Sequence, residues 1–225
     1  MMERTGERFD WSVPLALGSI WGLSEAAMGM YLRGGCARLL SGSIMTGVAI
    51  FFLAMSFASN RRTIGLLLML GIASAFKFLD AALLRLPVTH GAIGNPIFAF
   101  YTEVLTFIFL LKVLDVHLQG KVYGRAILGG FSALVAANLF PLVRFVTGIP
   151  ACVYPGTNYP LSLYFMPVAV GLSALTCLLG MLLGEKLARL AVDDVIPARA
   201  HRLVPAMIRL APVAAIVMII LLRLG

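Results

Sequence analysis

Seven apolar runs separated by short polar punctuation constrain this chain more than any motif in it. They cover 13–31, 39–58, 63–86, 96–117, 122–147, 161–190 and 206–223. A hydrocarbon core is crossed by about 20 residues of helix. Lipid offers no partner for an open backbone N–H or C=O, so each run must be helical. The cuts between runs carry turn and charge signals: Asn60-Arg61-Arg62, then LPVTHGAIGNP (86–96), then the proline-rich TGIPACVYPGTNYP (147–160). The sequence therefore predicts an all-α, polytopic transmembrane helical bundle: six core helices in a domain over 1–190, a basic linker over 191–205, and a seventh C-terminal helix over 206–225, transmembrane or interfacial. Only 12% of the residues are charged and 60% are hydrophobic, against about 25% charged in a soluble domain. No convincing internal repeat appears.

The formal net charge of +8 is read as topology, not as nucleic-acid binding. Basic residues cluster at run ends, where they set orientation and meet anionic lipid. With the N-terminus inside, the cytoplasmic segments hold Arg4, Arg8, Arg61, Arg62, Lys112, Lys121, Arg125, Lys186, Arg189, Arg199, Arg202 and Arg209. The other side holds Arg33, Arg38, Arg85, Arg144 and Arg223. The positive-inside rule then places the chain in the plasma (inner) membrane with a cytoplasmic N-terminus. MMERTGERFDW lacks a signal-peptide pattern, so the first run is expected to act as the targeting signal.

Ionisable residues inside an apolar run cost at least about 2.5–3.5 kcal/mol at mid-bilayer and mark functional candidates. Lys77 and Asp80, in FKFLDAAL, lie one helical turn apart and share a face. Glu25, Glu103 and Asn138 lie in three other runs. By depth, all five fall in the outer half of their helices, with Asn95 and His90 just above them. Agreement in depth across four helices suggests a polar chamber opening outward; the competing reading is an ion-pair network that locks helices together. Tyr101 and Thr102 add aromatic and hydrogen-bonding groups beside Glu103, and carboxylates with aromatic faces suit a cationic or heterocyclic ligand. Asn95-Pro96 reads as the start of the fourth helix. The uncharged segment 148–160 is read either as a lid over the chamber or as a rigid connector.

On the first helix Gly18, Gly22, Glu25 and Gly29 fall on one stripe, with Ala26 beside it. Small residues at four-residue spacing let another helix approach closely. That helix is either in the same chain or in a separate subunit.

Motif absences narrow the chemistry. Cys36, Cys152 and Cys177 show no CxxC spacing, and no P-loop, HExxH or GxSxG occurs. His90, His117 and His201 pair on no two helices at one depth, as a bis-His haem requires. No cofactor and no metal site is expected, and the chain is not read as an enzyme. An acid–base membrane enzyme ranks last because no nucleophile accompanies the carboxylates.

The pattern over about 11–190 resembles the substrate-binding S components of energy-coupling factor vitamin transporters. The resemblance implies a six-helix bundle that binds a vitamin, precursor or cofactor near the outer face beneath its loops. It also implies a transmembrane coupling subunit and separate ATPases as partners, with Ala16, Gly18, Gly22 and Ala26 as the docking chemistry. The substrate-binding set is then Glu25, Lys77, Asp80, Asn95, Tyr101, Glu103 and Asn138. The alternative is a non-catalytic anchor or assembly subunit of a larger membrane complex.

Overall fold

The computed structural model describes residues 11–31, 38–114, 119–190 and 198–224. The N-terminal decapeptide, Cys36, His117 and linker residues 191–197 lie outside the described residues. Seven long helices run up and down: α1 (Ser12–Tyr31), α2 (Arg38–Asn60), α3 (Thr63–Leu83), α4 (Gly91–Val113), α5 (Val122–Leu139), α7 (Leu161–Leu190) and α8 (Ala198–Leu224). A 3₁₀ turn (Phe140–Leu142) and the short α6 (Val143–Thr147) extend α5. Pro141 has no N–H to give the α-ladder, which accounts for the tightened turn there. The protein is a helical membrane bundle: six of these rods are long and apolar enough to cross a bilayer, namely α2, α3, α4, α5 with α6, α7 and α8.

Helix α1 is not among those six, yet it runs parallel to α3 and in step with it. Gly18 faces Met69 and Ile72, Gly22 faces Phe76, and Gly29 faces the Lys77 amine. Val13, Ala16, Leu17, Trp21, Glu25 and Ala26 are all buried inside the bundle, and a helix covered by protein needs no lipid-compatible surface.

Two boundaries differ from the sequence reading. Helix α4 begins at Gly91, five residues before Pro96. The His90 side chain caps it, its Nδ1 accepting from Ala92 N at 3.2 Å, and Pro96 lies within the helix. Helix α8 begins at Ala198, so 198–205 belongs to a helix and not to a linker.

Close helix approach rests on glycine. On α7, Gly180 and Gly184 lie against the α2 backbone at Phe51 and Met55. In return, Gly42 and Gly47 of α2 receive Phe165 and Leu172 of α7. Gly129 on α5 lies against Ser173 and Cys177 of α7. Between lipid-soluble helices there is little hydrophobic drive, so close van der Waals packing supplies the attraction. Among these contacts lies a core of Trp21, Ile50, Leu53, Leu66, Met69, Phe107, Leu128 and Met181.

The end of the bundle where α2 and α7 finish is tied by charge. Glu185 receives Arg125 at 2.6 Å and Arg61 at 3.1 Å. Arg125 Nε also donates to Gln119 O, and Gln119 Nε2 donates to the carbonyls of Leu111 and Leu114. Gln119 is thereby fastened to both α4 and α5.

Gly184→Leu is expected to destabilise the protein by about 1–3 kcal/mol through overpacking. Gly71→Leu, where an added side chain meets open space, should stay within about 0.5 kcal/mol. Reversible unfolding in detergent compares the two; equal effects would refute the packing argument.

Candidate functional site

A cavity of about 600 Å³ occupies the opposite end of the bundle, where α1, α3, α5 and α8 finish. Its floor is Phe100, whose ring packs on Trp21 with centroids 4.9 Å apart. Six helices and one loop form its walls, with Ala136 and Ala137 supplied by α5. Glu25 and Gly29 come from α1, Lys77 from α3, and Asn95, Ala99 and Glu103 from α4. Ser41, Met45 and Thr46 come from α2, and Ser162 and Phe165 from α7. Residues Cys152, Val153 and Pro155 lie across one side.

Those three residues belong to a tight hairpin. Val153 bridges Pro160, Tyr154 N donates to Tyr159 O at 2.8 Å, and Gly156 takes φ 77° at the turn. The Tyr154 ring stacks on Tyr164 of α7 at 4.5 Å, and Leu161 N donates to Cys152 O. The cover over the cavity is thus a hydrogen-bonded structure anchored to α7.

Four of the seven substrate-binding candidates meet in this cavity: Glu25, Lys77, Asn95 and Glu103. Glu25, Lys77 and Glu103 are only 2–4% exposed. Glu25 and Glu103 lie within electrostatic reach of each other, Lys77 acts on Glu25, and Thr46 hydrogen-bonds Glu103. Two polar atoms in the wall have no hydrogen-bond partner, Asn95 Oδ1 and Ser162 Oγ.

The other three candidates are elsewhere. Asp80 lies behind Lys77, outside the lining. Arg223 Nε and Nη2 hold its two oxygens at 2.8 and 2.9 Å, and Lys77 Nζ is 3.6 Å away. Arg223 Nη2 also donates to Ala26 O at 3.3 Å. Tyr101 is half-exposed and lines a separate apolar groove with Phe78, Phe98 and Val146. Two residues of helix separate it from Glu103, about 200° of rotation, so depth alone misplaced it. Asn138 is exposed and satisfied locally, donating to Leu134 O at 2.8 Å and to Met166 Sδ. Its neighbours Ala136 and Ala137 line the cavity instead.

The small-residue stripe is covered by the chain itself. Gly18 and Gly22 receive α3, Ala26 packs with Ala215 and Ile219 of α8, and Ala16 is 4% exposed. This face is filled by intramolecular helices and is not open to a second subunit.

Sequence reasoning missed Ser41, Thr46 and Ser162. They carry no charge, and a search keyed to ionisable residues passes over them. The available signal was the spacing of Ser41, Gly42 and Thr46, which puts polar and small groups on one side of an otherwise apolar helix.

No family model, curated protein or solved structure matches this chain.

Asp80→Asn and Arg223→Met should each destabilise the protein by about 3 kcal/mol, because each leaves a buried charge without its partner. The double variant should cost about 2 kcal/mol less than the sum of the two. A double-mutant cycle from unfolding in detergent measures this; strict additivity would sink the lock.

Proposed function

We propose that this protein is the substrate-binding subunit of a small-molecule uptake transporter, with its ligand held in the cavity beneath the 148–160 hairpin. The observation that carries the reading is that cavity: about 600 Å³, within the range typical of small-molecule sites, mostly apolar, with a few convergent polar groups. Two of those polar groups lack a hydrogen-bond partner, and a ligand is the natural source of one. Binding, and not bond-breaking, is the role assigned to Glu25, Lys77, Asn95 and Glu103.

The resemblance to energy-coupling factor S components supplies the wider setting: a vitamin, precursor or cofactor as cargo, a transmembrane coupling subunit, and separate ATPases. Because α3 and α8 cover the α1 stripe, a coupling subunit would dock on another face. With the N-terminus cytoplasmic in the plasma membrane, the cavity opens outward. The second reading, an assembly subunit of a larger complex, draws support from the Asp80–Arg223 lock, which ties α3 to α8.

A thermal-shift screen against vitamins, precursors and metal-bearing cofactors should find a ligand that stabilises the wild type. A ligand present at a hundredfold its Kd contributes about 2.7 kcal/mol. Lys77→Met and Glu103→Gln should lose that shift while remaining folded. No shift with any compound, together with variants that merely melt lower, would favour the assembly role.

Orientation has its own check. Cys152 is an exposed free thiol at the cavity end. In intact cells of a Cys36→Ser strain, a membrane-impermeant thiol reagent should label it. Labelling only after the cells are broken would reverse the topology.

A further inference from the structure

The cavity and its backing hold more negative than positive charge. Among the described residues, Glu25 and Glu103 line it with Lys77, while Asp80 and Arg223 stand directly behind. Arg223 is committed to Asp80 through two hydrogen bonds. Lys77 is shared between Asp80 and Glu25. Three carboxyl groups thus face two cations, and the deficit falls on the cavity side, at the Glu25–Glu103 pair. A buried carboxylate without a counter-charge is costly and takes up a proton instead; an occupant that brings one positive charge lets the Glu25–Glu103 pair keep its ionised form and is favoured.

The rest of the wall says what kind of cation. Phe100, Phe140 and Phe165 line the same space, and aromatic faces attract cations. Asn95 Oδ1 can only accept a hydrogen bond, and Ser162, 2% exposed, has an unpartnered hydroxyl. The volume far exceeds that of a bare metal ion, and no group of three His, Cys, Asp or Glu side chains suited to a metal occurs among the described residues. Resting on the binding-subunit reading above, we infer that the ligand is a small organic monocation. Its ammonium or iminium head lies between Glu25 and Glu103, a donor group reaches Asn95, and an unsaturated or aromatic body lies against the phenylalanines.

Cys152 permits a test that needs no knowledge of the ligand. The purified Cys36→Ser protein is treated with a cationic methanethiosulfonate (the ethyltrimethylammonium) and an anionic one (the ethylsulfonate). The net charge of +8 on its own favours the anion. The cation should nevertheless react faster by about tenfold or more, relative to the ratio for 2-mercaptoethanol, because a charged cleft focuses its field. The preference should shrink as salt is raised, and should fall severalfold in Glu25→Gln and in Glu103→Gln.

In a second arm, benzylammonium should slow modification by a neutral methanethiosulfonate, while benzoate and benzyl alcohol should not. The salt series uses wild-type protein, so it stands even if a variant misfolds. Equal or anion-favouring rates, or protection by benzoate matching that by benzylammonium, would overturn the inference. Protection by benzoate alone would remove the monocation and leave the binding subunit standing. No protection by any probe would count against both.

Discussion

Asp80 is the group on which the cavity end of this bundle depends. A buried carboxylate in an apolar span is tolerated only with partners, and Arg223, from the far end of the chain, supplies two of the hydrogen bonds to Asp80 in the last turn of α3. That contact fixes the last turn of α8 against α3. Through Arg223 Nη2 and Ala26 O, it fixes the same turn against α1. Once α8 is seated, Ala215 and Ile219 close over Ala26 and Phe76. The stripe of small residues on α1 then becomes an internal seam. Gly18 and Gly22 are small because α3 needs the room, and the same contact keeps α1 in step with α3. Glu25 is thereby held opposite Glu103.

The bundle divides into a packed half and a hollow half, and residue size draws the line. Toward the Glu185 end, Gly180 and Gly184 bring α7 onto the α2 backbone, and Leu53, Met69, Phe107 and Met181 fill what remains. Toward the other end, the hairpin at 150–160 stacks on α7 through Tyr154 and Tyr164. Six helices and that hairpin surround the space, and none fills it. Trp21 and Phe100 form the partition. An end made only for helix association would gain from filling the volume, since voids forfeit dispersion contacts.

The helices were legible because lipid leaves a chain few options: length and hydropathy locate all seven long helices, six of which are apolar enough to cross a bilayer, and turn residues locate most ends. His90 hid the true start of α4, since a side-chain cap at 90 outweighs the usual preference for proline in the first turn at 96. Depth along each helix is legible too, and it groups Glu25, Lys77, Asn95 and Glu103. Azimuth is not. Tyr101 and Asn138 sit at the right depth on the wrong side of their helices. Asp80 shares a face with Lys77 but is claimed by Arg223, more than a hundred residues away, a pairing no local pattern announces. The hydroxyls of Ser41, Thr46 and Ser162 carry no charge, and only the fold shows that they converge.

The lock and the site are one arrangement. Arg223 occupies both oxygens of Asp80 at distances of 2.8 and 2.9 Å, while Lys77 stands off at 3.6 Å. Asp80 is therefore satisfied chiefly by α8, and the lysine amine is left near Gly29 at the cavity wall. Without α8, Asp80 would have Lys77 as its nearest cation, and the amine would be drawn from Glu25 toward it. The position of the lysine in the binding wall thus depends on a helix that lines no part of the cavity. A seventh helix added to a six-helix core is, on this argument, a positioning element for the site as well as a cover for the α1 seam.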